Sequence, residues 1–114
     1  MFPPVPRAAT TSDAFNAIAE PRRRAILELL VEDERPVTDL VERLGLPQPS
    51  VSKHLGVLHR VGLVTQRRRG RQILYRTNAV QLKAIHDWTG RFERFWTTKL
   101  DRIKERAERR TTTP

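Results

Sequence analysis

Apolar residues recur along this chain every three or four positions in several separate blocks, and each block is closed by glycine, proline or a run of charges. Phe15, Ile18 and Ala19 mark a short first helix that Ser12 or Thr11 can cap. Pro21 suits a first helical position, so a second helix is predicted from Pro21 to Glu32, with Ile26, Leu27, Leu29 and Leu30 inward and Arg22, Arg23 and Glu28 outward. Asp33-Glu34-Arg35-Pro36 breaks it. Thr38 is then placed to cap a two-turn helix over Asp39–Leu44, with Gly45 at its C-terminal end. After a gap of a few residues a fourth helix is predicted from Gln48 to Val61. Val51, Leu55 and Leu58 form its apolar stripe, Pro49, Lys53, Gly56 and Arg60 point the other way, and Gly62 closes it. Two helices joined so briefly are expected to cross steeply as a helix-turn-helix. Taken alone, the outward face of the fourth helix fits a solvated surface as well as a contact surface.

Past Gly62 the pattern changes. Leu63–Arg68 and Gln72–Thr77 read as two strands around Arg69-Gly70-Arg71, a hairpin with a basic tip. From Val64 to Arg76 there are five arginines and no acid, more charge than a purely structural hairpin needs, although an edge strand blunted by charge would look similar. Asn78-Ala79-Val80-Gln81 then resembles a capping box and should start one long last helix. Ile85, Trp88, Phe92, Trp96, Lys99 or Leu100, Ile103 and Ala107 keep helical spacing through about six turns, Phe95 broadens the stripe, and Gly90 weakens the helix without breaking it. Both tryptophans and two of the four phenylalanines fall here, more aromatic surface than a small domain covers by itself, which points to a dimer seam. The expected organisation is a flexible N-terminal arm over residues 1–11, carrying Pro3, Pro4 and Pro6, then one domain over residues 12–104 and a frayed tail over residues 105–114.

Composition narrows the partners. The 114 residues suit a single domain with a modest core. Twenty-two Lys and Arg against 13 Asp and Glu give a net charge of +9, which favours a polyanion such as nucleic acid or an acidic membrane surface. Arginine outnumbers lysine 18 to 4, as a GC-rich genome would produce. There is no cysteine, so disulfides, thiolate metal sites and thiol redox chemistry are excluded. No apolar run has the length of a membrane or signal segment, and the chain is expected to be soluble and cytoplasmic. For catalysis the candidates reduce to His54, His59 and His86 with Asp87. The first two share a helix at a spacing that puts them on different sides, and the last two are adjacent residues that do not converge on one ion. No catalytic residue, metal ligand or cofactor is assigned.

The order of elements and four linked motifs carry a resemblance. Glu20-Pro21-Arg22-Arg23-Arg24-Ala25-Ile26-Leu27, Pro49-Ser50-Val51-Ser52-Lys53-His54-Leu55-Gly56-Val57-Leu58, Val61-Gly62-Leu63-Val64 and Gly70-Arg71 together resemble the ArsR family of bacterial winged helix-turn-helix repressors, over roughly Ala14 to Ile103. Phe95-Trp96 and Leu100-Asp101-Arg102 look like the branch without metal-binding cysteines, whose genes often neighbour a START-like protein. The resemblance implies a mainly α fold with a small β-hairpin, dimeric, in which the helix from Gln48 enters the major groove of double-stranded DNA. Gln48, Ser50, Ser52 and Lys53 are then the candidates for base edges and Arg60 for a phosphate. Arg67, Arg68, Arg69 and Arg71 of the wing would reach phosphates or the minor groove. His54 lies nearer the apolar stripe, which favours a satisfied, partly buried histidine over a base reader.

The chain departs from the family pattern twice. Gly56 stands where relatives commonly carry a basic or polar residue, and Pro47 where they often have a capping serine. The expected dimer seam joins Phe15 and Ile18 to Ile85, Trp88, Phe92 and Trp96. The implied function is a sequence-specific transcriptional regulator, a repressor on an inverted repeat. The competing reading is a protein-interaction module built on the aromatic helix. RNA is less favoured, because Tyr75 is the one aromatic in the wing available for stacking. No charged or cysteine-lined pocket in the sequence points to an effector.

Overall fold

A computed structural model describes residues 7–112, with side chains from Asp13 to Arg110. Helices α1 (Arg7–Ile18), α2 (Pro21–Glu32), α3 (Val37–Leu44) and α4 (Gln48–Arg60) come first. Strands β1 (Val64–Arg69) and β2 (Gln72–Thr77) follow as an antiparallel hairpin, and a 3-10 turn (Ala79–Leu82) leads into α5 (Lys83–Gly90) and α6 (Glu93–Thr112). No helix among the described residues is long and apolar enough to cross a membrane.

The amphipathic spacing decides what is buried. Ile26, Leu27 and Leu30 of α2, Leu40 of α3 and Val51, Leu55 and Leu58 of α4 meet in one core, closed by Leu63 and by Val64 at the start of β1. Glu20 caps α2 by accepting the Arg22 amide at 3.0 Å, with Pro21 opening the helix as expected. At the end of α4, Gly62 takes a φ of 82° that a side chain would oppose, and the Leu63 amide reaches back to the Leu58 carbonyl at 2.9 Å. That reversal aims the chain into β1.

Arg35 joins the pieces. It is only 8% exposed. Its Nε donates to the Leu29 carbonyl at 3.2 Å and its Nη1 to Asp39 Oδ2 at 2.9 Å, so one guanidinium holds the end of α2 and the first turn of α3. Its backbone exchanges two hydrogen bonds with Tyr75, at 3.1 and 2.9 Å, which lays the α2–α3 loop beside β2. Arg43 Nε also donates to Asp39 Oδ2 at 2.9 Å. The Arg35 hydrogen bond above all, with Arg43 adding to it, holds the Asp39 carboxyl below its ordinary pKa. Nearby, the Thr77 hydroxyl donates to the Leu27 carbonyl at 2.8 Å, a buried stitch between wing and α2.

Several expectations are corrected. Helix α1 begins at Arg7 rather than Ser12, so residues 7–11 of the expected arm are helical, while residues 1–6 lie outside the described residues. Among its described side chains the buried ones are Ala14 and Ala17, whose small size lets α1 approach closely; Phe15 is half-buried and Ala19 lies beyond the helix. Pro36, not Thr38, precedes the first turn of α3, and no side chain caps it. The hairpin turn is Gly70-Arg71 alone, since Arg69 pairs with Gln72 and Gly70 supplies the positive φ of 62°. The long last helix is two helices. Asn78 does not cap it; its amide nitrogen donates to the Gly62 carbonyl instead, at 3.3 Å. Helix α5 stops at Gly90, where the Arg91 and Phe92 amides bond back three residues rather than four, and α6 starts afresh. Helix α6 then runs through the segment expected to fray, as far as Thr112, and the last two residues lie outside the described residues.

Arg35→Ala removes a buried guanidinium with two kinds of partner, and the expected loss is about 2–4 kcal/mol, against less than about 1 kcal/mol for the exposed Arg43→Ala. Urea unfolding of the two variants checks this, and equal losses would contradict the role given to Arg35.

Candidate nucleic-acid interface

Helix α4 is fixed from below and open above. Val51, Leu55 and Leu58 are no more than 1% exposed, and the opposite side presents Pro49, Ser52, Lys53, Gly56, His59 and Arg60 to solvent. At about 100° per residue the centre of that open face is Pro49, Lys53, Gly56 and Arg60. Gln48 is exposed on one flank and Ser50 half-buried on the other, so the four expected base readers do not form one row. Lys53 and Arg60 lie one above the other, with Gly56 between them. A Cβ built on Gly56 meets nothing within 4 Å, so the bare backbone there is an opening rather than a packing requirement. Pro47 precedes α4 without a side-chain cap, as its sequence suggests.

His54 is half-buried and turned toward α2. Its Nδ1 lies 3.5 Å from Arg23 Nη1, and Arg23 also donates to the Ala17 carbonyl at 2.7 Å and the Asn16 carbonyl at 3.3 Å. Burial first, and the Arg23 charge second, lower the His54 pKa, which keeps the ring neutral at neutral pH with Nδ1 as acceptor. His54 thus braces the back of α4 and does not belong to its open face.

The arginine-rich wing does not form a single patch. Paired residues share a face of the hairpin, and faces alternate along each strand. Thr65 with Arg76, Arg67 with Leu74 and Arg69 with Gln72 form one face, while Gln66 with Tyr75 and Arg68 with Ile73 form the other. Arg71 sits at the turn. Arg67 is already engaged: its Nε and Nη2 donate to the two carboxylate oxygens of Glu34, each at 2.7 Å. The Arg67 hydrogen bond, with smaller pulls from Arg76 and Arg69, holds the Glu34 carboxyl below its ordinary pKa. Arg68, Arg69 and Arg71 are exposed. The sequence gives no sign of the Glu34–Arg67 pair, whose partners are 33 residues apart. The Arg35–Asp39 pair had a visible cue in its i,i+4 spacing across the start of α3.

The C-terminal helices carry the second exposed surface. Every residue from His86 to Arg110 is exposed, including Trp88, Phe92, Phe95, Trp96, Leu100 and Ile103. Phe15 meets Trp88 edge to face at 5.6 Å, and Trp88 meets Phe92 at 5.1 Å, so α1, α5 and the turn before α6 share one aromatic cluster. Of the expected seam residues, Ile18 and Ile85 are partly buried against the chain's own core, Phe15 is half-buried, and Trp88, Phe92 and Trp96 are exposed. The radius of gyration is 19.0 Å, against about 13 Å for a compact domain of this length, because α6 projects. His86 and Asp87 approach to 3.5 Å, Asp87 also pairs with Lys83, and among the described residues no group of three His, Asp or Glu side chains could hold a metal ion.

Comparisons with known proteins match this geometry. The family model described as bacterial regulatory protein, arsR family, covers residues 20–66, from the cap of α2 into β1. The HTH-type transcriptional repressor SmtB of Mycobacterium tuberculosis is 45% identical over 78 residues, 66% of this chain and 58% of that protein, so the match spans little more than half of that relative. The transcriptional repressor SdpR of Bacillus subtilis is 32% identical over 77 residues, 68% of this chain and 86% of that protein. Among solved structures, a homodimeric winged helix-turn-helix DNA-binding domain from Mycobacterium bovis superposes with a TM-score of 0.62 at 28% identity, covering 81% of this chain and 92% of that one.

Proposed function

The chain belongs to the arsR family of bacterial regulatory proteins, and from that premise we propose that it is a sequence-specific double-stranded DNA-binding transcriptional repressor. It works as a homodimer on an inverted-repeat operator. The observation that carries this reading is the contrast within α4, locked by three buried side chains on one face and open on the other, beside a wing with exposed arginines. A helix held this way can lie in a major groove without losing its packing. Lys53 and Ser52 read base edges from the middle of the face, with Gln48 and Ser50 reaching bases from its flanks near the helix start. Arg60, Arg68, Arg69 and Arg71 hold phosphates, and Arg67 acts from its ion pair. Gly56 lets the backbone approach the groove.

The dimer follows from the aromatic surface. Phe15, Trp88, Phe92 and Trp96, joined by Phe95, Leu100 and Ile103, face a second copy, with Ile18 and Ile85 packed behind them. Each such side chain contributes roughly 1.5–3 kcal/mol when fully buried. Two copies then present two α4 helices to half-sites about one helical turn apart. The named repressor relatives and the homodimeric neighbour support this assignment. A module that used the aromatic helix to bind some other protein would leave the open α4 face and the basic wing without a role.

Two experiments test the reading. In binding titrations against duplexes varied one base pair at a time, Lys53→Ala relaxes preference at one position per half-site, worth about 1–3 kcal/mol. Arg69→Ala instead weakens binding to all sequences and lowers the slope of log K against log salt by about one. The same base preference in Lys53→Ala would remove α4 from the readout. Light scattering should give twice the 13.2 kDa mass of one chain. Trp96→Asp should give the single-chain mass, and a wild-type monomer at micromolar concentration would contradict the dimer.

A further inference from the structure

The Glu34–Arg67 pair sets an acid against an arginine on the wing face that also carries Arg69 and Arg76. Like-charged phosphate would be repelled by Glu34, so an acid here is costly in a DNA interface unless it does something for its arginine. The geometry shows what that is. The two 2.7 Å bonds take up the Nε–Nη2 edge of the guanidinium, and three of its five N–H groups remain available, two on Nη1 and one on Nη2. Glu34 is mostly covered, with its side chain 23% exposed, whereas that of Arg67 is 54% exposed. The acid is therefore the anchored partner. It stands next to Arg35, whose backbone is hydrogen-bonded to Tyr75 of β2, so its carboxylate is carried by a segment tied to the wing itself.

We propose that Glu34 is a positioning residue of the DNA interface: it grips Arg67 by one edge so that the remaining N–H groups are presented, already ordered, to a backbone phosphate beside Arg69. An arginine held in this way does not lose its rotamer freedom on binding, which is the usual cost of a long side chain at an interface. This rests on the DNA-binding reading above and deepens it by making the wing contact a carboxylate–arginine–phosphate chain.

The effect expected of removing Glu34 is opposite in sign to simple electrostatics. Removing an acid from a DNA footprint should tighten binding; removing this one should weaken it. Fluorescence anisotropy of a labelled duplex, titrated with the full chain at several salt concentrations, decides between them. Glu34→Gln is expected to bind roughly three- to tenfold more weakly, with the salt slope reduced by up to about 0.9. Arg67→Lys keeps the charge but cannot make the two-pronged contact, and it should weaken binding similarly without depending on the fold around position 34. In an Arg67→Ala background, Glu34→Gln should tighten binding, because only the repulsion between acid and phosphate is left. If Glu34→Gln binds as tightly as wild type or more tightly in both backgrounds, or if Arg67→Lys binds like wild type, the positioning role is overturned while the DNA reading stands. A wild-type chain that binds no duplex overturns the DNA reading and this inference with it.

Discussion

One buried arginine sets the geometry on which the rest depends. Arg35 belongs to neither a helix nor the hairpin, yet its side chain holds the end of α2 and the start of α3, and its backbone pairs with β2. A guanidinium this enclosed is stable only where its donors meet acceptors, and the Leu29 carbonyl and Asp39 provide them. Because those acceptors lie on different elements, satisfying one charge ties α2 to α3, and the backbone pairing with Tyr75 adds β2. The helix-turn-helix and the wing are thereby joined through polar contacts at their margin as well as through the apolar core beneath.

From that junction the division of labour is physical. The core faces of α2, α3 and α4 consume the aliphatic side chains, leaving α4 with an outward face of small and basic residues. The hairpin's arginines fall on both of its faces, Arg67, Arg69 and Arg76 on one and Arg68 on the other, and all four are exposed. Most of the aromatic residues are concentrated instead between Trp88 and Trp96, where α5 leaves the core and α6 begins to project, and they stay exposed. Such a surface is the one proposed above to face a second copy. The Phe15–Trp88–Phe92 cluster links that surface to α1, and Arg23 links the end of α1 to His54 on the back of α4. The exposed aromatic surface and α4 are therefore connected by direct contacts.

The periodic parts of this architecture were legible in the sequence and the long-range polar parts were not. Val51, Leu55 and Leu58 announced their burial by spacing alone, as did Ile26, Leu27 and Leu30, and Gly62 marked the turn into the wing. Boundaries that depend on weak preferences were misplaced: Thr38 and Asn78 have capping side chains, but Pro36 and the contact with Gly62 decided those ends. The break at Gly90 was visible as a glycine, though propensity alone does not say whether a helix bends or stops. Helical periodicity placed Lys53 and Arg60 on the open face of α4, whereas counting arginines in the wing concealed that they alternate between two faces. The grip of Glu34 on Arg67 and that of Arg23 on His54 span 33 and 31 residues and leave no local trace.

The central claim is that two copies of α4 read DNA symmetrically while the wings hold the backbone. Selection of bound sequences from random duplex DNA at fixed salt tests it most directly. The account predicts an inverted repeat whose half-sites are centred about one helical turn apart. Enrichment of a single asymmetric site, or of no sequence at all, would contradict it.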